Sequence, residues 1–228
     1  MTTALQTDPE CDGVAAVGTL LDRRVMPQPV VRAAYADPPY LGCGKSHYGH
    51  LHDEAADYDD PETHRRLIQR LCDEFDCWAL SLHEPSLRVL LPMCPPDVRV
   101  APWIKPFASW KGKGLPHAWE PVILMNKTGR KHRTRDWVSA MPPAFSGGAE
   151  PMLGVPGQKP RAFSHWLFDA LTLETHDEFC DVFPGSGAVG DAWQRWKNRA
   201  APEQFELLGH NAVAHRTLEA ERRKGSGA

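Results

Sequence analysis

Short apolar runs suited to buried strands alternate with helix-patterned segments along most of this chain, and that alternation constrains the fold more than any other feature. "VVRAAYAD" (30–37) is an apolar run bounded by prolines and reads as a buried strand. Asp60 then stands where it can cap a helix whose first residue is Pro61 and whose apolar face carries Leu67, Ile68 and Leu71, ending near Phe75. "CWALSL" (77–82) reads as a second strand, "PSLRVLLPM" (85–93) as a short helix, "DVRVAPWI" (97–104) as a third strand and "EPVILMN" (120–126) as a fourth. Pro160 opens a helix running to about Leu173, "EFCDVF" (178–183) is a fifth strand, "AVGDAWQRWKN" (188–198) a helix leaving it, and "QFELL" (204–208) a last short strand. Strands alternating with helices predict an α/β fold: a Rossmann-like, mainly parallel sheet with helices on both faces.

At 228 residues the chain can bury one sizeable core. The reading is a loose extension over 1–28, one domain over 29–212 and a solvated tail over 213–228. Residues 127–158, rich in Gly, Pro and charge, exceed an ordinary connection, and loops of that size in a compact domain are functional or disordered; the stretches 41–60, 105–118 and 127–158 are read as target-recognition loops. Cys11, Cys43, Cys72, Cys77, Cys94 and Cys180 form no C-x-x-C pair, which speaks against a zinc ribbon and a disulfide framework and predicts reduced thiols in a cytoplasm. The amino terminus shows no basic leader, and "GVAAVGTLL" is nine residues long and follows Asp12, so neither a signal peptide nor a membrane span is expected.

Charge is unevenly spread. Residues 1–98 carry 8 Lys/Arg against 16 Asp/Glu, residues 99–135 carry 9 against 1, and residues 136–228 carry 9 against 12. A basic centre in an acidic protein predicts an anion-facing edge for nucleic acid, with a solvated lysine-rich loop as the plain alternative: Lys105, Lys111 and Lys113 follow one strand, and Lys127, Arg130, Lys131, Arg133 and Arg135 follow the next. In a parallel sheet both runs would lie at the edge where the first strand ends.

That strand ends in "YADPPYLGCGKSHYGH", Tyr35 to His50. A phosphate loop needs a glycine five residues before Gly44, and that position is Pro39, which has no N–H to offer. Cys43, His47, His50 and His52 supply soft and imidazole ligands but no recurrent zinc spacing, so no metal is assigned. Methylation of a base amine accounts for every position of Asp37-Pro38-Pro39-Tyr40. The lone pair of such an amine is delocalised into its ring until acceptors hold its hydrogens, and the Asp37 carboxylate and Pro38 carbonyl are two acceptors. The prolines stiffen the turn, and Tyr40 offers a ring on which a base turned out of its helix can stack. A rigid turn at a strand end would use the same four residues.

"DVFPGSGAVGDAW", Asp181 to Trp193, reads as strand, glycine turn and helix, where Gly185 and Gly187 let backbone approach a ligand and the helix start offers free N–H groups. It also spells the G-x-G-x-x-G of dinucleotide sites, but only 38 residues follow Gly190, so the other strands must come from earlier in the chain.

Taken in order, "DPPY", "WIKP", "WEPVILMNK", "GQKPRAF" and "DVFPGSG" resemble the S-adenosylmethionine-dependent amino-methyltransferases of nucleic acids, in the permuted order that places the catalytic tetrapeptide before the cofactor glycines. The resemblance covers roughly residues 31–199 and implies that Asp37, Pro38, Pro39 and Tyr40 are catalytic. It implies that Lys159, Pro160, Asp181, Phe183, Gly185 and Gly187 hold S-adenosylmethionine. Asp-Pro-Pro-Tyr is similar to the adenine branch, which implies the 6-amino group of adenine, in DNA ahead of RNA, by a monomer or homodimer with or without a partner subunit. A non-catalytic nucleic-acid-binding relative shares the same folding signals. The family's acid for the cofactor ribose has only Glu206 as a counterpart, and the short middle region leaves no room for a large target-recognition domain.

Overall fold

The computed structural model describes residues 29–50, 52–109, 114–148, 150–153 and 157–200. The expected extension over 1–28, the strand at 204–208, Glu206, the tail, Lys111 and Lys113 lie outside them. The core is a six-stranded sheet of β1 (Arg32–Ala36), β2 (Cys77–Ser81), β3 (Arg99–Ser109), β4 (His117–Asn126), β5 (Val138–Ser139) and β6 (Glu178–Asp181), in the order β5-β3-β4-β2-β1-β6. Helices α1 (Pro61–Glu74), α2 (Glu84–Leu90), α3 (Arg161–Ala170) and α4 (Ala188–Ala200) complete an α/β, Rossmann-like architecture.

Local chemistry explains the helices. The Asp60 carboxylate accepts the Glu62 amide at 3.0 Å with Pro61 next in line, as the sequence predicts, and His64, Leu67, Ile68 and Leu71 turn inward at helical spacing. Leu67, Ile68 and Leu71 pack with Ala34, Ala36, Trp78, Leu80 and Ile123 on one face of the sheet. Ala33, Tyr35, Ala79, Val122 and Trp103 point to the other face and meet Phe163, Leu167 and Phe168 of α3 and Trp193 of α4. Alternate residues of β1 and β2 thus enter two separate cores, which is why both strands are mostly apolar on both faces. Cutting Ile68, 2% exposed, to Ala would cost about 2–5 kcal/mol, the range for an emptied aliphatic site.

Strand direction decides what meets at the edge. β1 runs parallel to β2 and β6, and β3 runs parallel to β5, but β4 is antiparallel to both β2 and β3. Hence β4 alone among the described strands runs backwards. The third and fourth strands extend beyond their predicted ends and pair as a hairpin, so residues 105–109 and 117–118 of the expected loop are strand. Residues 41–60 carry a π-helical turn (Gly44–Tyr48) and a 3-10 stretch (Asp53–Asp59), tied together where Asp59 accepts the Gly44 and Lys45 amides at 2.7 and 3.0 Å.

Among the described residues no helix is long and apolar enough to cross a membrane, and no group of three or more His, Cys, Asp or Glu could hold a metal ion.

Candidate active site

Asp37 leaves the carboxyl end of β1. Its neighbours come from three other parts of the chain: Lys159 just before α3, Glu120 in the first half of β4, and Lys105 in β3. Because β4 is reversed, it is the start of that strand, not its end, that reaches this edge. In register, Trp103 faces Glu120 and Ile104 faces Trp119, while Ser81 at the end of β2 faces Val122.

Lys159 Nζ donates to Asp37 Oδ2 at 2.7 Å and lies 4.0 Å from Glu120 Oε2, with its side chain only 3% exposed. Lys105 closes an ion pair with Glu120. The Tyr40 hydroxyl donates to Glu120 Oε2 at 3.0 Å and reaches Asp37 Oδ1 only at 3.4 Å. Two cations and two carboxylates therefore balance in a part-buried cluster, where an unpaired charge would be costly. The Lys159 ammonium also rests 5.4 Å from the Trp103 ring, whose Nε1 donates to the Ala140 carbonyl at 2.9 Å. Tyr40 stacks on His83 with centroids 5.3 Å apart and planes 16° from parallel.

Burial pushes the Asp37 carboxyl up, against the opposing pull of Lys159. Burial acts on Glu120 in the same direction, but Lys159 and Lys105 together hold it below the usual carboxylate value. For Lys159, burial works against the charge, and Asp37 and Glu120 overcome it to raise the ammonium. Burial, with Asp37 next in effect, takes the Tyr40 phenol well above its ordinary value, so the ring stays neutral and its O–H remains a donor.

The glycine turn lies at the same edge. Tyr35 pairs with Asp181, so the ends of β1 and β6 are side by side. Gly185 (φ 47°) and Gly187 (φ 75°) adopt left-handed backbone that other residues resist, and α4 starts immediately after them. Both Asp181 carboxylate oxygens are buried without a hydrogen-bond partner. Burial first, and the negative charge of Asp37 second, push this carboxyl up to about 6, while the Phe183 amide pulls the other way without closing a hydrogen bond. An orphaned carboxylate beside an open glycine turn suits a ligand bearing a positive charge.

The structure thus gathers Asp37, Pro38, Pro39, Tyr40, Lys159, Pro160, Asp181, Phe183, Gly185 and Gly187 at one edge. Lys159, expected to face a cofactor, grips Asp37 instead. Lys105, expected on an exposed loop, is tied to Glu120 within the cluster. Glu120 is the site residue that sequence reasoning missed, although it is the single acid in the basic segment 99–135.

The expected placement of the second basic run is corrected. Asn126 pairs with Cys77 at the start of β2, so Lys127 and Arg130 emerge at the edge opposite Asp37. There Arg130 grips Asp177 and donates to the Pro29 carbonyl at 3.1 Å, and Arg133 reaches Glu174 at 3.6 Å. From Lys131 to Arg135 the chain travels back along α3, where the Arg135 carbonyl accepts Trp166 Nε1 at 2.9 Å, and then enters β5.

No family model and no curated protein matches the chain. Among solved structures it is similar to the crystal structure of M1.HpyAVI, with a TM-score of 0.46 and 16% identity over 74% of this chain and 78% of that one. It is similar also to the M1.HpyAVI-SAM complex, with a TM-score of 0.45 and 14% identity over 73% and 78%.

Proposed function

We propose that the protein is a methyltransferase that moves a methyl group from S-adenosylmethionine to the exocyclic 6-amino group of adenine in DNA. The observation that carries this reading is the pairing of two differently engaged oxygens on Asp37 with an orphaned carboxylate, Asp181, at the adjoining strand end. S-adenosylmethionine supplies an electrophilic methyl on a sulfonium, and its positive charge fits the residues present. Asp181, with Phe183, Gly185, Gly187 and Pro160 around it, would hold that ligand.

Asp37 has one oxygen anchored by Lys159 at 2.7 Å and the other only weakly engaged by Tyr40 at 3.4 Å. The weakly engaged oxygen is the acceptor for one amine hydrogen, and the Pro38 carbonyl is the acceptor for the second. With both hydrogens drawn in-plane, the nitrogen lone pair is released from the base ring. The proton shed after alkylation finds Asp37 nearest, and the upward shift of that carboxyl suits it to receive one. His83 backs one face of Tyr40 and fixes the plane against which the base stacks. Lys159, Lys105 and Glu120 together with Asp37 make the cluster neutral, so Asp37 can be desolvated without drawing in another cation.

Calorimetric titration with S-adenosylmethionine, followed by methyl transfer to an adenine-containing oligonucleotide, tests the reading. Saturable binding and N6-methyladenine product are expected, with Asp37→Asn folding normally and turning over at least ~10²-fold more slowly, the scale of losing one preorganised electrostatic group. Binding of a nicotinamide dinucleotide in place of S-adenosylmethionine, or full activity in the Asp37 variant, would overturn it.

A further inference from the structure

The return path of the basic segment builds a second concavity away from Asp37. A cleft of about 680 Å³ is lined by His132, Arg133, Arg135 and Trp137 on one side and by Trp166 and Asp169 of α3 on the other. Such a volume falls within the range of about 300–1,000 Å³ typical of small-ligand sites. Trp137 is 39% exposed, and the Arg135 guanidinium lies 5.5 Å from its ring centroid, a preformed stack of a cation on an indole. Arg133 is tethered to Glu174 only at 3.6 Å with 71% of its side chain in solvent, so it can turn to another anion at little cost. Asp169 is the acid in the lining, set against two guanidiniums and an imidazole.

The cleft lies beside the strand that pairs with β3. Trp137 immediately precedes β5, where Val138 pairs with Trp103, the ring beneath Lys159. An aromatic plane flanked by guanidiniums, one strand away from the catalytic cluster, is the combination that binds single-stranded nucleic acid: bases stack on the ring and phosphates meet the cations. Duplex DNA offers its phosphates but keeps its base faces covered, so the exposed indole would go unused.

We infer that this cleft is a subsite for an unpaired base of the strand that carries the target, with Trp137 stacking on the base and Arg133 and Arg135 holding the adjoining phosphates. The inference rests on the substrate being nucleic acid, and it adds that the strand bearing the target is read single-stranded here. Trp137 is a positioning residue and takes no part in the methyl transfer.

The test measures binding without S-adenosylmethionine, by fluorescence anisotropy of a labelled single-stranded oligonucleotide containing one adenine and of the same sequence fully paired. Trp137→Ala should weaken single-strand binding by about 5- to 150-fold, the range for losing one stacked base. Trp137→Phe, which keeps a ring, should recover most of that loss, and Lys127→Glu at the opposite edge should change nothing. Iodouracil placed at successive positions beside the adenine should photocrosslink to Trp137 at one of them. Wild-type affinity in Trp137→Ala, crosslinking only elsewhere, or an equal loss for duplex and single strand would overturn the subsite. These readouts are independent of catalysis: stacking without methyl transfer would sink the methyltransferase reading alone, and methyl transfer without stacking would sink this one alone.

Discussion

The two edges of the sheet each bury an aspartate, and they treat it in opposite ways. At the edge where β1 begins, Asp177 is fully enclosed and satisfied: its oxygens accept the Val31 amide at 2.9 Å and the Glu174 amide at 2.7 Å, and Arg130 binds both oxygens. Burial acts to raise its carboxyl, but Arg130 and the two amides hold it below the ordinary value. At the edge where β1 ends, Asp181 is buried with no partner and its carboxyl rises to about 6. A satisfied buried charge locks chain segments together, whereas an unsatisfied one is a cost that a ligand can relieve. The contrast separates a structural clamp from a site.

Breaking the clamp should give the largest effect. Asp177→Ala strands the Arg130 guanidinium and two amides, and chemical denaturation should show a loss of about 3–5 kcal/mol, the scale for removing one partner of a buried pair. A milder probe, Arg130→Lys, keeps the charge but loses the fork that meets both Asp177 oxygens, and should cost about 1 kcal/mol. Stability changes under about 0.3 kcal/mol in both variants would mean that the pair is surface-like.

The smallest effect sharpens the comparison because its sign is reversed. With its carboxyl raised when folded, Asp181 stabilises the protein fully below the unfolded value near ~4, and that contribution is lost as pH rises through about 6. Asp181→Asn should therefore raise the stability to denaturation at pH 8 by roughly 1 kcal/mol after allowing for partial solvation, and leave it nearly unchanged at pH 4. The same variant should bind S-adenosylmethionine more weakly at pH 8. A destabilised Asp181→Asn at pH 8 would show that this carboxylate, like Asp177, is part of the scaffold.

Most elements were legible because their signals are local. Asp60 and Pro61 announce α1, and the short, mostly apolar runs of β1 and β2 announce strands buried on both faces. Asp37 was legible for a similar reason: its chemistry and the stiffness of its turn lie in four consecutive residues. The hairpin was harder to see, since Lys105 and Pro106 interrupt the apolar pattern of β3 and conceal its last residues. Seven residues separate Ser109 from His117, too few for a parallel crossover of about a dozen, so the reversal of β4 could have been inferred had those ends been recognised.

The sequence by itself determined the α/β alternation, the Asp60 cap of α1, the rigid acidic turn after β1 and the glycine turn after β6, because each depends on neighbours a few residues apart. Only the tertiary structure decided that β4 runs backwards, and that one reversal sorted the charges. It carried Glu120 to Asp37 and Lys159, and it sent Lys127 and Arg130 to the far edge, where Arg130 became a clamp. The physical reason is that strand direction is fixed by pairing between segments far apart in the chain, while residue type fixes only what each charge needs once it arrives.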